Sequence, residues 1–219
     1  MKQAFQDKTA SSLGLFGAVN AGKEACRWDY GQIKLYSQNS LLLLENNPSA
    51  DLLRQFLRCE EEHQVNSTVG AAANVDETSY VIASKVGAGS INKSLVANVT
   101  TPQLDCDGAI VVNCVAKKIK AGKGAILYNL LDESGEGIVA EAGQVKVGLS
   151  KTEPDGTISF DHVLRSRMDI DGGKAWKQKL EMNEFSFEDV HKQNKDADIG
   201  SISAARKAAF ERLAASMGL

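Results

Sequence analysis

The sequence predicts a mainly β protein: a parallel β-helix, or solenoid, flanked by N-terminal helices, a β-hairpin and C-terminal capping helices. Three features of residues 74–131 carry this. Aromatic residues nearly vanish there, leaving only Tyr80 and Tyr128. Aliphatic residues recur every five to seven positions, at Val81, Val86, Ile91, Val96, Leu104, Ile110, Ile119 and Ile126. A small residue often follows two places later: Ala83, Ala88, Cys106 and Ala121. A period near six fits neither an α-helix nor an ordinary strand. It suits a coil with three short edges of about six residues each, the aliphatic side chain pointing into a narrow prism and the small one filling a corner. Gly87, Gly89, Gly108, Gly122 and Gly124 supply candidate turns with positive φ. Pro102 interrupts the register, as expected of a loop. A compact sandwich of several short strands is the alternative.

The periodicity changes on either side. Upstream, Ile33, Tyr36, Ser40 and Leu43 share one face at helical spacing. Asn47-Pro48 reads as an N-cap followed by proline at the first position of a second helix. Its expected buried stripe is Leu52, Leu53, Phe56 and Leu57, and Glu60-Glu61-Glu62-His63 is its solvated end. Downstream, Val145, Val147 and Leu149 alternate, as do Ile158, Phe160 and His162, with a strong turn at Glu153-Pro154-Asp155-Gly156. That is a β-hairpin. Gly172-Gly173 breaks the chain before a polar helix around Trp176. Ser186-Phe187-Glu188-Asp189 has capping-box spacing. A last helix starts near Ser201, with Ile202, Ala205, Ala209, Leu213 and Met217 as its stripe and Gly218 as its stop. It is expected to cap the open coil. The divisions are thus an N-terminal segment (1–25), a helical segment (26–70), the β-helix (71–150) and the hairpin with C-terminal helices (151–219).

Composition narrows the functional classes. Of 219 residues, 43% are hydrophobic and 24% charged, which predicts a packed core. A net charge of −3 argues against a nucleic acid as main partner, which wants a concentrated basic face. Cys26, Cys59, Cys106 and Cys114 form no C-x-x-C pair, which excludes a zinc ribbon. Reduced thiols in the cytoplasm or another reducing compartment are expected. Residues 1–19 lack a continuous apolar run, so no secretory signal is expected. The longest apolar run, Leu41–Leu44, is too short for a membrane span.

Trp28-Asp29-Tyr30-Gly31 is the most informative short segment. One reading is a turn whose Asp29 caps the helix that follows. The other is a magnesium-binding carboxylate beside a sugar phosphate, with aromatic walls, since magnesium prefers one or two carboxylates plus phosphate oxygens. The order of this segment, a helix over 33–45 and the hexad-like tract at 74–131 resembles the sugar-phosphate nucleotidyltransferases. Their catalytic core ends in W-x-D-x-G-T, followed by a helix and often by a left-handed β-helix of hexapeptide repeats. Here Trp28 and Asp29 are adjacent and Gln32 stands in place of the Thr. The resemblance covers residues 26–131. It implies a left-handed sense for the parallel β-helix, Asp29 as a magnesium ligand, Trp28 and Tyr30 as walls of the sugar pocket, and the β-helix as an element for oligomerisation or regulation. The family's glycine-rich nucleotide loop, G-x-G-T-R-L, has no counterpart in this sequence. The chain is therefore expected to be a C-terminal part of such an enzyme, or a partner to one, and inactive alone.

Other constellations are weaker. Lys117, Lys118, Lys120 and Lys123 form a basic cluster, either a solvated face or an anion site. Gly17–Lys23 matches G-x-x-x-x-G-K, but Glu24 follows where a P-loop needs Ser or Thr. His63, His162 and His191 all lie outside 81–131, where a hexapeptide acyltransferase would usually keep its base. Asp169-Ile170-Asp171-Gly172-Gly173 lacks the spacing of an EF-hand and reads as a turn. Two further functions thus stand beside the first: a non-catalytic β-helix scaffold in a homo-oligomer or larger assembly, and, third, an acyltransferase.

Overall fold

A computed structural model describes residues 28–59, 62–153 and 155–219. The segment 1–25 and its G-x-x-x-x-G-K run lie outside the described residues. The centre of the molecule is a parallel β-solenoid of about five turns. Its strands alternate between two sheets. The seven-stranded sheet has β1 (Gln64–Val65), β3 (Tyr80–Ile82), β5 (Leu95–Ala97), β7 (Ile110–Val112), β9 (Ile126–Tyr128), β11 (Gln144–Thr152) and β12 (Ile158–Arg167) in that order. The five-stranded sheet has β2 (Thr68–Val75), β4 (Lys85–Asn92), β6 (Thr100–Asp107), β8 (Ile119–Ala121) and β10 (Ile138–Ala140). All pairs are parallel except β11 with β12.

The register corrects the hexad reading. Val81 pairs with Val96 and Val96 with Val111, so a central turn takes 15 residues. The next turns take 16, from Val111 to Leu127, and 19, from Leu127 to Lys146. Three six-residue edges would need about 18. Each central turn instead joins a three-residue edge, such as β5, to an eight-residue edge, such as β6. Pro102 lies inside β6 rather than in a loop, beside Thr101 and Gln103, which pair with Val86 and Ala88.

The interior is dry. Val81, Val96, Val111 and Leu127 from one sheet meet Val86, Ile91, Leu104 and Ile119 from the other. Cys106 and Ala121, expected at corners, face this core and stack directly on each other. Ile110 and Ile126, expected inside, point outward. With Tyr80, Leu95 and Val145 they make a second buried column on the outer face of the seven-stranded sheet. Both faces of that sheet are therefore covered, which explains its unbroken apolar triplets such as Ile110-Val111-Val112.

The N-terminal helices provide that cover. These are α1 (Ile33–Leu41), a 3-10 turn (Leu42–Leu44) and α2 (Pro48–Leu57). Ile33, Tyr36, Leu43 and Leu53 pack onto the outer column. Fully burying a leucine in this way stabilises by about 1.5–3 kcal/mol. Asn47 caps α2 as expected, accepting from Ala50 N–H at 3.0 Å, with Pro48 at the start. The expected stripe of α2 is corrected: Leu53 is buried, while Leu52, Phe56 and Leu57 are exposed. The helix rests mainly on the 3-10 turn, so it presents one line of contact instead of a broad face.

The corners have a regular backbone. Asn66, Ala83, Asn98, Asn113 and Asn129 all have φ between +48° and +63°. Asparagine tolerates this left-handed conformation better than most residues. The amide of Asn98 donates to Asn113 Oδ1, and that of Asn129 to Gly148 O, forming a ladder along one corner.

At the C-terminal side, β11 and β12 form the expected hairpin, with Gly156 N–H donating to Glu153 O at 2.9 Å. The stretch around Trp176 is a series of turns and not a helix, with Ala175 N–H donating to Asp171 O. Ser186 and Asp189 form the expected reciprocal capping box at the start of α3 (Phe187–Gln193). The last helix, α4 (Ile199–Ser216), starts two residues early because Asp198 caps it by accepting from Gly200 and Ser201 N–H. It lies on the flank of the coils and does not sit over their open end: Arg206 donates to Asn113 O at 2.7 Å and Arg212 pairs with Glu133. Long cationic side chains on a helix with little apolar surface reach bare corner carbonyls more readily than they seal an apolar core. Among the described residues no helix is long and apolar enough to cross a membrane.

Candidate functional site

A cleft of about 770 Å³ lies between the start of α1 and the turns that follow β12. Gly31, Gln32, Ile33 and Lys34 line one wall. Met168 to Gly173, Trp176 and Phe187 line the other. It thus joins the end of the Trp28-Asp29-Tyr30-Gly31 segment to the Asp169–Gly173 turn, two stretches more than 130 residues apart.

The α1 wall holds a helix N-terminus and one cation. Gln32 occupies the N-cap position without a side-chain cap, and no acidic residue falls in the first turn. The leading amides of α1 therefore keep the positive end of the helix dipole, and Lys34 adds a cation. Oxyanions bind at such a terminus. The facing wall carries carboxylates that are already engaged. Asp169 takes two hydrogen bonds from the Arg167 guanidinium, at 3.0 and 3.2 Å. Asp171 Oδ1 accepts from Gly173 and Lys174 N–H. Trp176, 41% exposed, supplies an apolar plane.

The three N-terminal candidates do not act as one group. Asp29 Oδ1 accepts from Gly31 N–H at 2.8 Å, and Asn39 Nδ2 donates to Asp29 O at 2.6 Å. The carboxylate thus shapes the turn that leads into α1. Trp28 packs on Phe56, with ring centroids 5.9 Å apart, and belongs to the outer apolar column. Tyr30 meets the edge of Tyr36 at 6.0 Å, and partial burial raises its hydroxyl pKa. Neither ring lines the cleft. Trp176 does, in a series of turns where the sequence predicts a helix. The Gly172-Gly173 break next to it was the available signal.

The lysines are dispersed. Lys120 projects from the outer face of β8 and pairs in register with Asp105. Lys117 runs past Gly135, and Lys123 lies beside Gly108. All four are exposed, and among the described residues none forms an ion pair. The histidines are scattered too: His63 stacks on Tyr80 at 4.3 Å, His162 stands 3.5 Å from Glu153 and from Asp161, and His191 lies near Trp176. Among the described residues, no group of three or more His, Cys, Asp or Glu side chains could hold a metal ion.

Fold and cleft define a parallel β-solenoid carrying a cleft with a helix N-terminus on one wall. The chain matches no protein-family model, no curated protein and no solved structure.

Proposed function

We propose that this chain is a C-terminal part of, or partner to, a sugar-1-phosphate nucleotidyltransferase, and that the cleft at the start of α1 forms an edge of its sugar-phosphate site. One observation carries this reading: the Trp28–Gly31 segment leads directly into a helix terminus without a side-chain cap that opens on this cleft. The phosphate would meet the leading amides of α1 and Lys34, and Trp176 would flank the sugar ring. The reaction of that family joins a sugar 1-phosphate to a nucleoside triphosphate with release of pyrophosphate. A left-handed sense of the solenoid belongs to the same reading. Magnesium fits only in the mode that uses few protein ligands, with Asp29 supplying a carboxylate and the phosphate supplying the remaining oxygens. The metal would neutralise phosphate charge there; this chain's own residues bind and orient.

The test is calorimetric titration of sugar 1-phosphates with and without magnesium, using the intact chain and its Asp29→Ala and Lys34→Ala variants. Binding that needs magnesium and weakens in both variants supports the reading. Equal affinity in all three proteins would count against it.

A non-catalytic scaffold is the second reading. It is favoured by Asp29 Oδ1 being used in its own turn and by the lack of a metal-holding cluster among the described residues. No binding of any sugar phosphate, together with a stable assembly, would select it.

A further inference from the structure

The sheets of this solenoid end in strands whose outer edges are treated very differently. The outer edge of β12 is closed. Arg165 N–H donates to Asn183 Oδ1 and Asn183 Nδ2 donates to Arg165 O, both at 2.7 Å, and Asn183 is itself buried. The strand also carries Asp161, His162, Arg165 and Arg167. At the same end, β10 is only three residues long, and Lys146 Nζ donates to Val139 O on it. Charges, short strands and covering loops are the usual means of guarding an edge.

At the opposite end β1 is likewise short, only two residues, but the edge of β2 beside it is treated differently. β2 is the outermost strand of its sheet and, among the described residues, pairs only with β4. At about 3.4 Å per residue, its eight residues present roughly 27 Å of backbone with one side unpaired. From Gln64 to Val75 there is no charged residue and no proline. Thr68, Ala71, Ala72 and Asn74 are exposed, and Gly70 to Ala73 are small enough for another backbone to approach closely. A register shift between Val69 and Ala72 bends the strand, but Ala72 to Val75 pair regularly with β4.

We infer that the open edge of β2 docks a second copy of this chain by strand addition. A neutral edge meets its own copy without opposing like charges. Among the described residues only one end of the solenoid is open, so the contact is self-complementary about a two-fold axis, with β2 antiparallel to its mate, and closes as a dimer instead of growing into a filament. This inference does not depend on the sugar-phosphate reading, because β2 contributes nothing to the cleft.

The test is sedimentation of the full chain across a wide concentration range, with hydrogen exchange measured in parallel. The wild type is expected to form a dimer that dissociates on dilution, with amides of residues 68–75 exchanging more slowly in the dimer. Ala72→Lys sets two lysines close together across the axis and is expected to weaken the dimer about tenfold or more. Ala72→Ser should leave it intact, and circular dichroism confirms that both variants fold. A monomer at all concentrations overturns the inference. So does a dimer indifferent to Ala72→Lys, or a monomer that dimerises only after removal of residues 1–27, which would make those residues the occupant of the edge.

Discussion

Asn183 acts as one residue of an extra strand beside Arg165. Its carboxamide takes the Arg165 N–H and gives a hydrogen to the Arg165 carbonyl, each at 2.7 Å. Arg165 in turn sends Nη1 to Met182 O at 3.1 Å, which pins the covering loop to the strand. Asn183→Ala removes both side-chain bonds and leaves two partly buried backbone groups of β12 without these partners. The expected cost is about 1–3 kcal/mol. For a chain of this size, each kcal/mol lowers the melting temperature by roughly 2–4 °C. Asn183→Asp should also destabilise, since a carboxylate cannot donate to Arg165 O; thermal melts of both variants check this.

Much of this architecture was legible. The aliphatic spacing identified the parallel solenoid because every strand must drive one side chain into a narrow interior. The length of the turn was missed because its two edges are unequal, three and eight residues, so the aliphatic positions fall at mixed intervals. A better signal was present at intervals of 15 and 16: Leu95-Val96-Ala97-Asn98, Ile110-Val111-Val112-Asn113 and Ile126-Leu127-Tyr128-Asn129. Each has one residue facing inward, neighbours facing outward, and an asparagine to turn the corner. The outward Ile110 and Ile126 could not be distinguished from core residues by periodicity, since helices from elsewhere in the chain bury them. The cleft was illegible for a similar reason. Its walls are distant in sequence, and Trp176 gave no motif of its own.

The corner ladder makes a graded prediction at Asn113. Its φ is +57°, its Oδ1 accepts from Asn98, and its carbonyl accepts from Arg206. Asn113→Gly keeps the backbone conformation and the carbonyl but loses the side-chain bond, for about 0.5–1.5 kcal/mol. Asn113→Val adds the strain of a β-branched residue in the left-handed region, roughly 1–2 kcal/mol more. Urea unfolding should rank the proteins wild type, then Gly, then Val.

Gly89 is the least replaceable position on β4. Its φ is +114°, and an added Cβ would stand 2.1 Å from Leu104 O on the next turn. The obstacle is backbone, so no side chain can move aside. Gly89→Ala must push adjacent coils apart at the site where Gly89 pairs with Leu104. It is expected to cost more than about 3 kcal/mol, combining conformational strain with disrupted packing. Soluble expression and the unfolding midpoint are the measurements, and a variant as stable as wild type would refute this stacking.

Asp76 ties the exit of β2 to the coil above it. Its Oδ1 accepts from the amides and hydroxyls of Thr78 and Ser79, and its Oδ2 accepts from Lys93 N–H at 2.8 Å. Burial raises its pKa, but these hydrogen bonds outweigh burial and bring it below the usual carboxylate value. A carboxyl with a depressed folded-state pKa stabilises above its unfolded pKa, and that contribution is lost as pH falls through the folded value. Asp76→Asn should therefore flatten the acid limb of the stability profile, measured by urea midpoints below pH 5.

The buried thiols contribute to the alkaline limb. Cys106 and Cys114 are not disulfide-bonded. Burial pushes Cys106 up to about 11 and Cys114 up to about 12, from an ordinary value near 9. A group whose folded pKa is raised contributes its full stability below the unfolded pKa. As pH climbs past about 9, the unfolded chain ionises these thiols while the folded chain keeps them protonated, so the unfolded state gains and stability falls up to the folded values. Cys114→Ala removes the largest of these shifts, so its stability should decline less steeply above pH 9 than that of the wild type, although the cavity it leaves lowers stability at neutral pH. Thiol reagents at neutral pH should find both side chains unreactive until the protein unfolds, because the thiolate is the reacting form. Rapid labelling of Cys114 in the native protein would contradict its place in a sealed core.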